Sequence, residues 1–271
     1  MKAHVTVSDL HVGSDTGLCP QNARLDGGGT ANPNKFQATL LLYWEHFWNE
    51  WVPEVTKGAE EVVVEINGDI IEGNHHNTVG LWTNNTETQA ANAIDLLKPI
   101  KRRYPKMFLI RGSEAHSGPG SMAEERIGRE LDCPQDELGK YSHWQLWLDT
   151  GGVIFQFAHH IGVTSSAAYE TSAPMRELVA ALIEATQWGQ PMPRVIVRSH
   201  RHRFVPVSIP SLFGRIECVI TPSWQLRTPH VERIDRMRMP HIGGVVFLVE
   251  DHTCQTIEKL YPLPGPKPIV V

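Results

Sequence analysis

The first half of the chain alternates between short apolar runs and longer stretches in which apolar residues recur at helical spacing. β-Branched runs predict strands at residues 2–8, 61–66 and 106–110. Apolar side chains three and four positions apart predict helices at residues 36–55 and 86–103. An order of strand, helix, strand, helix and strand favours parallel pairing in one sheet.

The second half is richer in strands and hairpin turns, which favours a second, mixed sheet. Turn residues at 149–152 and 251–252 each predict a hairpin. Two packed sheets with helices outside are the natural layered arrangement for such an order. We expect a single domain over residues 1–261 and a Pro-rich tail at 262–271. The other predicted elements are helices at 122–131 and 174–188 and strands at 142–148, 153–158, 194–198, 204–209, 215–220, 244–250 and 253–260.

Composition narrows the class of protein. An apolar fraction of 41% is ample for a core, and a formal net charge of −5 argues against a general basic surface for nucleic acid. The four cysteines form no CxxC pair, which is typical of reduced thiols in a cytosolic protein. The N-terminus has no signal-peptide pattern, and no apolar run reaches membrane-spanning length. We therefore expect a soluble, cytoplasmic protein with no membrane partner. The chain has 14 histidines, and because histidine is the commonest metal ligand, this number needs an explanation.

Polar segments rich in Asp and His follow five of the predicted strands, at the point where each strand ends. They lie at residues 8–11, 67–73, 111–116, 158–160 and 199–202. In open α/β sheets, ligands bind in the crevice beyond the carboxyl ends of the strands. The five segments therefore indicate one shared site.

The residue types in these segments are those of a metal site. An Asp-x-His pair, as in Asp9 and His11, and a His-x-His pair, as in His200 and His202, can each face one cation. Mixed carboxylate and imidazole ligands suit Mn, Fe or Zn better than Mg or Ca. A single carboxylate can bridge two metals about 3.5–4 Å apart, the spacing used to hold a phosphate. Taken alone, Asp69 could equally cap a following segment, and an isolated histidine is often a satisfied core residue.

The order Asp-x-His, Gly-Asp-x-x-Glu, Gly-x-x-x-His, His and His-x-His resembles the motif order of the calcineurin-like metallophosphoesterases, from Asp9 to His202. The resemblance implies a four-layer αββα sandwich of two mixed sheets flanked by helices. It also implies two divalent metal ions, with manganese expected and iron or zinc as alternatives, and a hydroxide between them that attacks phosphorus in line. The implied ligands of one metal are Asp9, His11 and His202, those of the other are His159 and His200, Asp69 bridges the two, and Glu72 orients a ligand.

The third motif departs from the family, which has Gly-Asn-His where this chain has Gly112-Ser113-Glu114-Ala115-His116. Ser113 takes the Asn position by counting, but a carboxylate is the better ligand, so we expect Glu114 to bind the second metal. His116 is the imidazole expected to protonate the leaving group. Two further candidates could bind substrate, His75 and Arg111, although a solvated loop and a surface ion pair explain them as well.

The resemblance implies a phosphoesterase that acts on a phosphodiester or a phosphomonoester. The acidic balance favours a small phosphoester or nucleotide over long DNA. The alternatives are a DNA nuclease of the repair type, whose binding would depend steeply on salt, and a non-catalytic scaffold that keeps the fold. A metal-dependent amidohydrolase would begin with His-x-His on its first strand, unlike this chain. The sequence leaves the oligomeric state open.

Overall fold

A computed structural model describes residues 1–75, 79–164, 166–212, 214–234, 239–263 and 268–270. Its strands form two five-stranded sheets and a small two-stranded one. In chain order, the strands are β1 (Lys2–Val7), β2 (Ala23–Arg24), β3 (Thr30–Ala31), β4 (Glu61–Asn67), β5 (Met107–Ile110), β6 (Leu146–Thr150), β7 (Val153–Phe157), β8 (Val195–Arg198), β9 (Val205–Ser211), β10 (Gly214–Ile220), β11 (Ile242–Glu250) and β12 (Thr253–Tyr261).

Both large sheets are mixed. The first has the order β12-β11-β1-β4-β5, in which β1, β4 and β5 are parallel and β11 is antiparallel to both its neighbours. The second has the order β6-β7-β8-β10-β9, in which the three central strands are parallel and the two edge strands antiparallel. The parallel strands send their carboxyl ends to one edge of each sheet.

Helices cover the outer faces of the sheets. The first long helical segment begins with a capping box at Asn34 and Gln37 and passes through a π-helical turn at Phe47–Trp51. The helices are α1 (Lys35–His46), α2 (Val52–Val55), α3 (Thr86–Arg103), α4 (Glu114–Ser117), α5 (Met122–Glu130), α6 (Ser172–Trp188) and α7 (Pro229–Ile234). No helix within the described ranges is long and apolar enough to cross a bilayer.

The core has three apolar layers, one between each pair of adjacent structural layers. Residues of α1, α3 and α5 pack on the first sheet, and Leu178 of α6 packs on Ile196 and Ile216 of the second. Between the sheets, Phe155 and Phe157 meet residues of β11 such as Phe247. This is the expected α/β arrangement of two mixed sheets flanked by helices, so the predicted fold class is confirmed.

One expectation about the sheets is wrong in detail. The final hairpin, β11 and β12, joins the first sheet beside β1 instead of the second sheet. The reason is that β11 is buried on both faces, with Val246 toward the helices and Phe247 toward the other sheet. A strand of this kind needs a central place in a sheet.

The Trp-rich helix is part of the core. Its three tryptophans, Trp44, Trp48 and Trp51, are buried. The ring of Trp44 packs edge-to-face against that of Trp224. Of the predicted tail, residues 262–263 and 268–270 form no helix or strand, and residues 264–267 and 271 lie outside the described residues.

Some of the histidines serve the fold. His4 is fully buried between the sheets, where its Nδ1 lies 2.6 Å from Glu65 and its Nε2 lies 2.8 Å from Thr150 Oγ1. His4 and Thr6, whose Oγ1 donates to Glu65 Oε2 at 3.1 Å, together satisfy this buried carboxyl group.

Candidate metal centre

The loops after β1, β4, β7 and β8 meet at the carboxyl edge of the two sheets. Backbone hydrogen bonds tie the loops together: Asp9 N donates to Gly68 O at 3.0 Å, and His11 N donates to Asp69 O at 3.1 Å. In the second sheet, Ser199 N donates to His159 O at 2.8 Å. Side chains from distant parts of the sequence are therefore held on one rigid frame.

Backbone strain is concentrated in these loops. Among the described residues, ten non-glycine residues have positive φ, and five of them are candidate ligands. Such conformations cost about 1–3 kcal/mol each and persist where the surrounding structure enforces them, often at functional sites. The five are Asp9 (54°), His11 (48°), Asp69 (49°), His200 (70°) and His202 (53°).

One group of ligand-type atoms comes from Asp9, His11 and His202. Asp9 Oδ1 lies 3.3 Å from Nε2 of His202 and 3.9 Å from Nε2 of His11. The two imidazole Nε2 atoms are 3.2 Å apart. Ser8 Oγ donates to the other oxygen of Asp9 at 2.5 Å, which fixes the carboxylate so that Oδ1 faces the imidazoles.

A second group comes from Asp69, His159 and His200. Asp69 Oδ2 lies 3.0 Å from Nε2 of His159 and 4.0 Å from Nδ1 of His200. His159 Nδ1 donates to the carbonyl of Asn67 at 2.6 Å, so its Nε2 is directed at the carboxylate. Asp9 Oδ1 is 4.0 Å from the same Nε2 atom, which places the two groups side by side.

The arrangement fits a pair of divalent cations. Among the described residues, the buried atoms Asp9 Oδ1 and His159 Nε2 form no hydrogen bond of good geometry, and a cation between them and their neighbours would satisfy both. The ligand atoms of each group lie within 4.8 Å of one another. Asp69 also forms such a group with His11 and His116, so its carboxylate reaches both sides of the centre.

Electrostatics keep the carboxylates charged. Burial alone would raise the pKa of Asp9, but the neighbouring His202 and His159 outweigh burial and lower it to about 2. Burial would likewise lower the pKa of His159, yet the charge of Asp69 prevails and raises it to about 9. The pKa of Asp69 lies well below its usual range, because His159 outweighs the effect of burial. A cation that binds here must therefore displace a proton from His159.

Glu72 supports His11 from behind. Its Oε2 lies 2.8 Å from Nδ1 of His11 and accepts a hydrogen bond from Gln225 Nε2 at 2.8 Å. Burial opposes ionisation of Glu72, but His11 outweighs it and lowers the pKa of this carboxyl group. A carboxylate behind a ligating histidine fixes its tautomer and ring orientation. Gln225 was not predicted, and an isolated Gln after a strand carries no signal that could have identified it.

The third motif brings Ser113 and His116, rather than Glu114, to the centre. Ser113 donates to Asp69 Oδ1 through its backbone N at 2.7 Å and its Oγ at 3.1 Å. Within the described residues, Glu114 belongs to none of the carboxylate–imidazole groups, and its side chain is exposed. Ser113 is the N-cap of α4, so Glu114 is already the first residue of the helix. The predicted role of Glu114 as a ligand therefore has no support from the geometry.

His116 and Gly112 complete this side of the centre. His116 Nδ1 donates to the carbonyl of Glu72 at 2.7 Å, and its Nε2 is 4.0 Å from Asp69 Oδ2. Burial, together with the nearby His11, lowers the pKa of His116 to about 4. A Cβ atom at Gly112 would lie 2.3 Å from Asp69 Oδ1, so only glycine permits this close approach.

The two candidate substrate-binding residues differ in position. His75 Nε2 is 3.3 Å from Glu72 Oε1, and its ring is 4.5 Å from that of His116, so it lies beside the centre. Arg111 Nε donates to Ser142 O and Oγ at 3.2 and 3.1 Å, and its guanidinium stacks over Trp144. Arg111 is therefore held against the segment of residues 142–144.

Comparisons with known proteins leave the family open. No family model matches the chain, and no curated protein matches it. Similar solved structures include a Vps29 double mutant from Entamoeba histolytica (TM-score 0.43, 10% identity, covering 96% of this chain and 99% of that one) and a metallophosphoesterase from Sphaerobacter thermophilus (TM-score 0.40, 9% identity, covering 96% and 89%). A third is a predicted phosphoesterase from Streptococcus pneumoniae (TM-score 0.35, 10% identity, covering 95% and 98%). Values this low carry no argument about what the chain does.

Proposed function

We propose that this chain is a binuclear-metal phosphoesterase of the calcineurin-like kind that its motifs resemble, and that it hydrolyses a phosphodiester. One observation carries the proposal: two carboxylates and four imidazoles from four separate loops converge as adjacent groups, with Asp69 reaching both sides. Mixed oxygen and nitrogen ligands suit Mn, Fe or Zn, and we propose manganese as the native metal. When bound, such a pair polarises the phosphoryl group and supplies an activated water molecule.

The protein groups around the centre have separate tasks in this proposal. Glu72 holds the ring of His11, and Ser113 holds the Asp69 carboxylate through two hydrogen bonds. His116 delivers a proton to the leaving-group oxygen from Nε2, while its Nδ1 stays bonded to the Glu72 carbonyl. The anionic phosphoryl group of a bound substrate raises the pKa of His116, because a nearby negative charge favours the protonated imidazole.

A diester is the proposed substrate class, and His116 is placed to deliver the proton that its alkoxide leaving group needs. The proposal places the protein in the cytoplasm, where the four free cysteines stay reduced.

Metal analysis combined with a phosphoester panel tests the proposal. The protein is stripped with a chelator, reloaded separately with Mn, Fe or Zn, dialysed and analysed for bound metal. We expect two ions per chain and turnover of bis(p-nitrophenyl) phosphate that exceeds turnover of the monoester. Asp149→Asn in the exposed β6–β7 turn is the matched control and should keep both properties. A chain that retains no divalent ion, or that binds two ions and hydrolyses no ester, would overturn the proposal.

A further inference from the structure

A cavity of about 710 Å³ opens beside the candidate metal centre. It lies between the start of α3, the segment around α4 and the outer side of α5. Its volume falls in the range of about 300–1,000 Å³ that is typical of small-molecule sites. His75 and His116 line the cavity on the side of the centre, so the cavity and the centre share these two imidazoles.

The cavity wall combines apolar residues with a larger number of polar and charged ones. Five small or flexible apolar residues contribute to it: Ala90, Ala115, Pro119, Met122 and Ala123. Several of the charged residues in the wall are engaged with other groups. Arg126 pairs with Glu87, and Glu125 accepts hydrogen bonds from Tyr141 N at 3.0 Å and Ser142 Oγ at 3.0 Å. A wall of this kind suits an organic group that has both apolar faces and hydrogen-bonding groups, such as a nucleoside.

The position of His116 tells which part of a substrate would enter the cavity. Its ring is fixed by the bond from Nδ1 to the Glu72 carbonyl, its Nε2 lies 4.0 Å from Asp69 Oδ2, and the residue also lines the cavity, so this imidazole stands where the cavity meets the centre. A group that receives its proton from Nε2 must be on the cavity side of the phosphorus atom. We infer that this cavity binds the leaving group of a phosphodiester, and that this group is the size of a nucleoside. The inference rests on the proposed phosphodiesterase function.

Two esters with the same nucleotide and different leaving groups test the inference. Dithymidine monophosphate can lose only a nucleoside, whereas the methyl ester of thymidine monophosphate can lose either methanol or thymidine, so its kcat/KM is taken from the release of methanol. Each of these leaving groups needs a proton on an alkoxide. We expect the manganese-loaded protein to show at least about tenfold higher kcat/KM for the dinucleotide, a ratio within reach of one organic group in a fitted pocket. Product chromatography identifies which bond is broken.

Two substitutions in the cavity wall test whether the cavity binds the leaving group. Met122 lines the cavity and is 71% exposed, so Met122→Glu replaces an apolar side chain of the wall by a charged one with little risk to the fold. Ala123→Phe fills the space directly. Both should lower kcat/KM for the dinucleotide by about tenfold, leave the methyl ester unchanged and abolish inhibition by free thymidine. Leu42→Glu, at a residue of α1 that is 66% exposed, is the matched control and should change none of these values.

The outcomes separate the two proposals. Equal kcat/KM for both esters in the wild type, or equal losses on both esters in Met122→Glu, would overturn the leaving-group cavity and leave the phosphodiesterase intact. A metal-loaded wild type that hydrolyses neither ester would overturn the proposed function and this inference with it.

Discussion

Replacing Asp69 by Asn should separate metal binding from folding. Asparagine has nearly the same volume and can still accept the hydrogen bond from Ser113 N, which is 2.7 Å from Oδ1 in the wild type. The side chain loses its charge, and with it the carboxylate proposed to reach both metals. Loss of a residue that only hydrogen-bonds to a metal ligand typically lowers metal affinity by about 10–100-fold. Loss of the charged ligand itself should therefore lower metal affinity by more than about 100-fold.

The structure also predicts how Asp69→Asn changes the stability of the metal-free protein. His159 has its pKa raised to about 9 from 6.5, chiefly because the charge of Asp69 outweighs burial. Each pKa unit corresponds to about 1.4 kcal/mol, so protonation of His159 contributes roughly 3 kcal/mol to the free energy of unfolding. Because the folded-state pKa is raised, this contribution is complete below pH 6.5 and is lost as the pH rises through about 9. In Asp69→Asn the decline between these pH values should be much smaller.

Four measurements test this prediction: metal content, turnover of a phosphodiester, circular dichroism, and urea unfolding of metal-free protein from pH 6 to 9. We expect metal content and turnover to fall together, an unchanged dichroism spectrum and a flattened pH profile of stability. Asp149→Asn removes an exposed carboxylate from the β6–β7 turn and should behave like the wild type. An Asp69→Asn protein that keeps two metals and wild-type turnover would refute the proposed centre, and an unchanged pH profile would refute the assignment of the His159 charge.

Three further substitutions test separate parts of the site. His116→Ala should lower turnover of an alkyl diester by about 10²–10⁴-fold and that of a p-nitrophenyl diester far less, with metal content unchanged; equal losses on both esters would count against proton donation. Glu124 is buried, and burial raises its pKa to about 7 from 4.5, so metal-free protein should lose stability as the pH rises from 4.5 to 7. Glu124→Gln should remove that decline and be more stable at pH 8 by about 2–3 kcal/mol in urea unfolding, and an unchanged slope would contradict this reading. Gly112→Ala places a Cβ 2.3 Å from Asp69 Oδ1 and should weaken metal binding by about tenfold or more in a chelator competition, whereas Gly27→Ala, which meets nothing within 4 Å, should not.

The ligand-type residues were visible in the sequence for a local reason. Asp9, Asp69 and His200 each follow a run of apolar residues that forms a buried strand. Because parallel strands end at the same edge, a polar residue at such a position is directed to a shared crevice whatever the details of the packing. This is why a pattern along the chain was enough to select the six side chains that the structure brings together.

The third motif shows where such a pattern stops being informative. Ser113 and Glu114 are adjacent, and the chemistry of ligands favours the carboxylate. The structure brings Ser113 to Asp69, because β5 ends at Ile110 and α4 begins after Ser113 as its cap. If the helix began one residue earlier or later, a different side chain would face Asp69. The sequence pattern does not locate the start of a helix to within one residue.

Local pattern alone therefore determined the ten strands of the two large sheets, the four longest helical segments, the parallel first half and the strand ends at which the candidate ligands lie, since these depend on periodicity within a few residues. The short elements β2, β3, α4 and α7 were not predicted. Only the tertiary structure decided that β11 enters the first sheet, that Gln225 lies behind Glu72 and that a cavity opens beside His116. These features depend on which surfaces pack together between residues far apart in the chain, as in the pairing of Lys2 with Val249, which are 247 residues apart. No local periodicity records such a choice, because it is made by the burial of apolar faces that form only when the sheets assemble.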